Sequence, residues 1–543
     1  MTATKLKRAF VITGLGFLIA TRLSVGVGSA EDWPTWQHDS RRSGFSSESI
    51  DPTGFDIDWT WQSAFPPEPA WHGPAKWDAY AKIRDLPSMR SYDLAFHPVI
   101  VGGRVFFGSS SNDTLYCLDG KSGKVVWDFT TDGPVRIAPA VADGKVLFGS
   151  DDGFVYCLAE TTGKQLWKFS PVSVPSPSET RKGSRRPDGG GTSEKQFLNN
   201  GRFIPSTPCR TGVLLDSEKK TAWCGFGLLP WKPSYLCAID VETGRPDGPG
   251  RFVKKLNGKT LEGSPALSSK LVLFPQGRVA PQVFSRTDGK DLGQLKKSGG
   301  GSLVVVSLDK KIFHGPATDS RKGGIAASDP EKLEMVAGYG RGNALVVNDR
   351  HSFMLNGDEL VATDLATKKP LFHVPSRGQF SLIGTGHTLF VGGEDLVEAF
   401  STKDGKKQWS HVVNGKVYGL AASNSRLIVS TDTGTIYSFR AGAGSTNPSV
   451  PSVTKTGETE GSAKPTTIND KNLIGRWVFQ PSEVEGKTVR NLTGGRAGLL
   501  AVSKQCEQVG SRQALVLDGS RQSVLISPSH RQAKVPRKSI SVS

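Results

Sequence analysis

The chain has 543 residues, 36% of them hydrophobic, with 63 glycines, 33 prolines and a formal net charge of +17. That length exceeds what one compact core can bury, so a repeat architecture or several domains is expected. Six cysteines and nine histidines form no C-x-x-C pair and no cluster, which argues against a metal centre.

In chain order, residues 1–30 read as an export signal. Lys5, Lys7 and Arg8 precede an apolar run from Ala9 to Ala20, and Gly28-Ser29-Ala30 offers a small-residue cleavage site. The run is short for crossing a bilayer, so no stable span is expected after cleavage. No Cys follows the cleavage position to carry a lipid anchor. A periplasmic or extracellular location follows. Residues 31–56 form a polar, aromatic extension without a period. Ile57-Asp58-Trp59-Thr60-Trp61 reads as a lone strand, and 66–93 as an irregular aromatic insertion.

The next stretch says nearly the same thing twice. HPVIVGGRVFFGSSSNDTLYCLDGKSGKVVWDF and APAVADGKVLFGSDDGFVYCLAETTGKQLWKF align on Trp127 and Trp167. Each copy holds four short strands in about 40 residues, the pattern of one propeller blade. After a second insertion at 171–204, weaker copies run on to Arg440 and give eight units. The eighth stops before its final Trp-x-aromatic strand, and Ile57–Trp61 is a strand of that type. Pairing the two would close the ring and remove its exposed ends. The expected fold is therefore all-β: an eight-bladed β-propeller over 57–440, closed by an N-terminal strand. Residues 441–470 carry almost no large apolar side chain and read as a disordered linker. Residues 471–543 (LIGRWVF, GGRAGLL, QALVLDG, QSVLIS) read as short strands of a partial β-sandwich.

The YCLDGKSGKVVW and YCLAETTGKQLW units resemble the pyrroloquinoline-quinone-type propeller repeat, with its Y-x-L-D-x-x-T-G-x-x-x-W signature. The resemblance runs from about Ile57 to Arg440 and is strongest in units one, two, seven and eight. It is closest to secreted bacterial proteins, notably of planctomycete type. The tail resembles the opening of a concanavalin-like, laminin-G-type jelly roll. For a dehydrogenase of this fold the resemblance implies an adjacent Cys-Cys disulfide against the quinone, a Trp beneath it, a bound Ca²⁺ and a catalytic Asp. None of the six cysteines is adjacent to another. Cys117 and Cys157 sit one repeat apart as small core residues. Cys209, Cys224 and Cys237 fall on one later unit, where a single bridge is open. The same repeat also builds non-catalytic propellers, so no catalytic residue and no cofactor are expected. Pyrroloquinoline quinone and calcium enter only under the dehydrogenase alternative.

Two groups of side chains stand out as binding candidates. Lys121, Lys124, Lys145, Lys164, Lys290, Lys310, Lys311, Lys368, Lys369, Lys406 and Lys407 occupy turns on one face of the disc. A positive field of that kind would attract a polyanion. On the opposite face, Trp71, Trp77, Tyr80, Arg90 and Tyr92 come from the first insertion. Arg202 and Arg210 flank the third unit, and Asp151 and Asp152 share a turn. Aromatics and arginines on loops above a rigid scaffold compose a binding surface.

The leading functional expectation is a monomeric, non-catalytic scaffold binding a protein or an acidic or sulfated polysaccharide at the cell surface, not nucleic acid. An envelope-assembly factor and a quinone-dependent dehydrogenase are the alternatives.

Overall fold

The computed structural model describes residues 31–70, 92–173, 196–199, 202–228, 232–277, 279–297, 299–301, 303–307, 310–317 and 324–443, together with six short strands between 484 and 525. The chain falls into two compact units, 1–453 and 454–543. In the second, four short strands make one antiparallel sheet, and Cys506–Val509 pairs with Arg512–Leu515 as a hairpin. The jelly-roll resemblance of 471–543 lies largely outside the described residues. Among the described residues no helix is long and apolar enough to cross a membrane.

The first unit is a propeller. Blade 1 runs outward through Val99–Val101, Arg104–Gly108, Thr114–Asp119 and Val125–Thr130. Its second strand is buried at Val105, Phe106 and Phe107, because both faces of the sheet meet a neighbouring blade. Its outermost strand exposes Val125 and Val126 and buries Trp127. Ala140–Ala142 to Gln165–Phe169 repeats this arrangement, and four further four-stranded sheets follow. The third starts at Leu214–Asp216, the fourth at Ala266–Leu267, the fifth at Leu303–Ser307 and the sixth at Ala344–Val347. The third blade takes Phe252–Leu256 as its outer strand, after a turn at Glu242–Thr243.

The expected eight blades are corrected to seven. The segments read as units seven and eight form one six-stranded sheet. Between earlier blades the chain needs a loop, such as 131–139, to return from rim to centre. Here the single strand Lys407–Ser423 does both jobs. Its first part pairs with Leu396–Phe400 and its second with Arg426–Thr431. With no loop between them, the two repeats fuse. The N-terminal strand does join this sheet: Phe55–Gln62 pairs antiparallel with Thr435–Ala441, so the two ends of the propeller meet in one ladder.

A recurrent contact locks three of the blade junctions. Trp59 donates its indole N–H to the Gly120 carbonyl (2.9 Å), Trp127 to Glu160 (2.9 Å) and Trp167 to Val241 (3.0 Å). Each indole also lies on the glycine of the neighbour's turn. A Cβ added at Gly123 would come within 2.6 Å of the Trp59 ring, and one at Gly163 within 2.6 Å of Trp127. Both glycines adopt positive φ, a region that a side chain disfavours, so the position is closed to other residues twice over.

The extension 31–56 is not a loose tail. Trp33 is fully buried and pairs with Ile100 of the first inner strand. The chain then passes along the channel mouth, and its carbonyls take N–H groups from successive inner strands. Pro34 accepts from Val141, Ser40 from Leu267, Arg41 from Val306, Ser43 from Val347 and Gly44 from Gly384. Buried Arg42 ties the segment inward through Pro265 O (2.7 Å), Thr35 Oγ1 (2.8 Å) and Trp36 O (3.0 Å).

Trp59 tests the closing strand. Trp59→Ala is expected to lower unfolding stability by about 3–5 kcal/mol, the usual cost of deleting a buried Trp. Urea unfolding followed by circular dichroism measures it. An unchanged midpoint would mean that the ring does not depend on this contact.

Candidate functional site at the second channel mouth

The other mouth of the channel carries the most densely charged buried site among the described residues. Asp151, in the turn between the second and third strands of blade 2, is fully buried. Its Oδ2 accepts from Arg136 Nε (2.8 Å) and Arg210 Nη2 (2.8 Å), and its Oδ1 from Arg210 Nε (2.8 Å). Arg136 then reaches Asp93 Oδ2 (2.8 Å) and the Glu68 carbonyl (2.6 Å). Asp93 also accepts the Ala70 N–H (2.8 Å). The described ends of the 66–93 insertion are thereby pinned to the disc. Arg202 adds a second clamp, to Glu68 Oε2 (3.0 Å), Asp113 Oδ1 (2.7 Å) and the Ser111 carbonyl (3.1 Å). Tyr92 donates its hydroxyl to Glu262 Oε2 (2.7 Å).

Burial and charge compete in this cluster. Burial pushes the Asp151 carboxyl up, but the Arg136 and Arg210 guanidiniums outweigh it and hold the group below its usual range. At Asp93 burial wins over the attraction of Arg136, the Ala70 N–H and the weaker pull of Arg210, and the carboxyl titrates above its usual range. Burial, aided by the Glu262 carboxylate, raises the Tyr92 hydroxyl well above its ordinary value. His97, whose ring Nε2 donates to the Tyr92 carbonyl (2.8 Å), is depressed to about 4 by burial and stays neutral at physiological pH. Among the described residues the arginines of the site are engaged by carboxylates, while Asp93 Oδ1 is buried without a hydrogen-bond partner.

Of the residues singled out from sequence, the structure gathers Tyr92, Asp151 and Arg210 into this network and sets Arg202 beside it. Asp152 stands apart: it accepts from the Tyr156 hydroxyl (2.6 Å) and the Phe154 N–H (3.0 Å), which are turn contacts. Trp71, Trp77, Tyr80 and Arg90 lie outside the described residues. Sequence reading missed Asp93, Arg136 and Glu262. A signal was present, since Arg136, Arg210 and Glu262 each stand four residues before an inner strand, in blades 2, 3 and 4.

The turn lysines occupy the opposite face. Lys121, Lys124, Lys164, Lys290, Lys310, Lys368, Lys369 and Lys406 are exposed. Lys145 pairs with Glu242 and Lys407 with Glu398, both at 3.0 Å, while half-buried Lys311 reaches the Leu365 carbonyl (3.4 Å). Asp119, Asp240, Asp364 and Asp404 sit in the same turns and accept their backbone N–H groups. The face is therefore mixed in sign.

Asp151→Asn tests the network. Removing one partner of a buried charge group leaves the arginines uncompensated, at a cost of about 3–5 kcal/mol. Because the folded-state pKa of Asp151 is depressed, its contribution is present above the unfolded value near 3.9 and is lost as pH falls through the folded one. The stability gap between wild type and variant should therefore narrow below about pH 4 in urea titrations. A gap independent of pH would refute the assignment.

Comparisons with known proteins place the chain. The dehydrogenase subunit of a quinone alcohol dehydrogenase from Gluconobacter oxydans (strain 621H) is 34% identical over 107 residues, which cover 16% of this chain and 13% of that protein. The corresponding subunit from Gluconacetobacter polyoxogenes is 35% identical over 92 residues, covering 14% of this chain and 12% of that protein. The matches thus span only about an eighth of these relatives. The crystal structure of the quinohemoprotein alcohol dehydrogenase from Comamonas testosteroni superposes with a TM-score of 0.50 at 13% identity, covering 76% of this chain and 81% of that one. That likeness is one of fold. The family model described as outer membrane protein assembly factor BamB matches residues 61–193 and 276–446, more than half of the chain. The chain belongs to this family of propellers built from pyrroloquinoline-quinone-type repeats.

Proposed function

We propose that this protein is a non-catalytic binding scaffold of the cell envelope that presents the mouth carrying the Asp151 network to a protein ligand. The observation carrying the reading is that network. Its arginines are engaged with carboxylates and with the described ends of the 66–93 insertion, a role in architecture. Beside the Arg202 clamp, Phe65 and Phe203 are 65% and 71% exposed, an apolar pair on a rigid polar support. Exposed aromatics of that kind anchor protein interfaces. The reading takes residues 1–30 as the export signal and 471–543 as the start of a jelly roll.

The quinone-dehydrogenase alternative draws on the short matches to dehydrogenase subunits, but the described residues do not fit a quinone site. Cys117, Cys157, Cys209, Cys224 and Cys237 pack inside blade cores, and none has a sequence neighbour able to form the adjacent disulfide. Asp93 and Asp151, the buried carboxylates at the mouth, are bound by arginine. Among the described residues no group of three carboxylate, His or Cys side chains is arranged to hold a cation. An acidic glycan is the less favoured ligand, because carboxylates interleave with the turn lysines.

A photoreactive phenylalanine analogue at position 203, compared with one at Leu371 on the blade rim, tests the proposal in cells. A discrete adduct with an envelope protein is expected from position 203 and not from 371. Dye-linked alcohol oxidation after addition of pyrroloquinoline quinone and Ca²⁺ would overturn it. Salt-sensitive retention on heparin would shift the ligand class to acidic glycan.

A further inference from the structure

The segment 31–50 leaves one inner strand uncovered. Its carbonyls take N–H groups from the inner strands of blades 2, 4, 5, 6 and the fused sheet, and Trp33 pairs with blade 1. Leu215 of the third inner strand stands at the equivalent place: it pairs with Ala222 as Ile100 pairs with Val105. Among the described residues no hydrogen bond joins Leu215 to the segment. The omission has a local cause. Between Thr35 and Ser40 the chain turns tightly, with His38 N–H bonded to Thr35 O and with Gln37 and His38 at positive φ. It crosses from blade 2 to blade 4 without following the wall.

The crossing opens a cavity of about 730 Å³, floored by Leu214–Asp216 and walled by blades 2 and 4. Its volume falls in the range of ligand sites. Its cations are engaged. Arg41 pairs with Asp39, Arg286 with Asp216 and Glu218, and Arg42 points at backbone carbonyls. Glu31 and Asp32 remain as surplus negative charge. Glu31 faces Ser46, Ser47 and His38, while Asp32 accepts the Gly102 N–H. His38 is depressed by burial despite neighbouring carboxylates, and so does not cancel that charge.

We propose that this cavity is a docking site for an extended, positively charged peptide segment, which adds alongside Leu214–Asp216 and hydrogen-bonds to Leu215 through its backbone. The mode is the one that residues 33–44 already use on the neighbouring blades. Main-chain pairing supplies attachment, and the acidic rim selects Lys or Arg side chains.

The test uses the whole protein and three probes: an eight-residue peptide of alternating Lys and Thr, the same peptide N-methylated at alternate residues, and cellohexaose as a neutral glycan. Calorimetry should show saturable binding of the first peptide, weakened at least tenfold by N-methylation and by raised salt. Leu215→Pro removes the channel-facing N–H at a sheet edge, where proline is tolerated, and should weaken binding at least tenfold. Asp32→Lys leaves the backbone unchanged and should weaken it several-fold, which keeps the test decisive if the proline variant misfolds. No saturable peptide binding overturns the proposal, as does equal affinity for the N-methylated peptide or undiminished affinity in Asp32→Lys. Binding of cellohexaose in place of the peptide overturns it too.

Discussion

The ring depends on an indole lying on a glycine. The outer strand of one blade supplies the ring and the next blade's turn supplies the glycine, so each sheet is gripped by its neighbour at the rim, far from the channel. Trp59, Trp127 and Trp167 make this contact with both a stacking face and an N–H donor. Where the tryptophan is replaced, the geometry persists with less: Phe252 lies on Gly289 and Phe372 on Gly405. Between blades 4 and 5 no such ring is present among the described residues. There Lys296 and Leu333–Met335 exchange backbone hydrogen bonds, and Lys297 reaches Glu334 (3.5 Å). An aromatic lock and a backbone bridge are interchangeable solutions to the same problem, holding a thin sheet against its neighbour.

That substitution explains what could be read from the residues and what could not. Blades 1 and 2 were legible because Trp127, Trp167 and their partner glycines are chemically specific. The middle blades faded because a backbone bridge has no side-chain signature. Closure was legible because Ile57–Trp61 is an outer strand in search of a sheet. The number of sheets was not. Whether Lys407–Ser423 breaks or runs straight through Asn414-Gly415 is settled by pairing on both sides, against a local sequence that favours a turn. The course of the extension was not legible for a related reason. Residues 31–50 lack periodicity because they follow a curved track and contact a different blade every few residues, so neither a strand nor a helix repeat applies.

The site divides in the same way. Asp151 and Arg210 were visible as charges near a channel mouth, but Arg136 was not, because its partners lie far apart in the chain: Asp93 ends the first insertion and Asp151 lies in a turn of blade 2. The unifying position, four residues before an inner strand, carries Arg in blades 2 and 3 and Glu in blade 4, so charge type gives no repeat to follow.

The two mouths of the channel are fastened by different physics. On the side of residues 31–50 the fastening is a ladder of backbone hydrogen bonds, reinforced by a buried arginine that touches only neutral oxygens apart from its attraction to Asp39. Its charge pairs are His38–Glu31 and Arg41–Asp39, and the Asp32 and Glu48 carboxylates accept backbone N–H groups from Gly102, Asn424 and Ser425. On the other side the fastening is a chain of ion pairs, from Asp93 through Arg136 and Asp151 to Arg210. Such a chain adds little net stability over an apolar packing of the same volume, since desolvation offsets most of the attraction. What forked guanidinium–carboxylate contacts supply is a single geometry for the loops that they join. Asp93 accepts a hydrogen bond from one arginine, Arg136, and burial raises its carboxyl above the usual range, whereas Asp151 accepts from both Arg136 and Arg210. The two mouths are therefore held by different contacts, chiefly backbone pairing at residues 31–50 and buried ion pairs around Asp151.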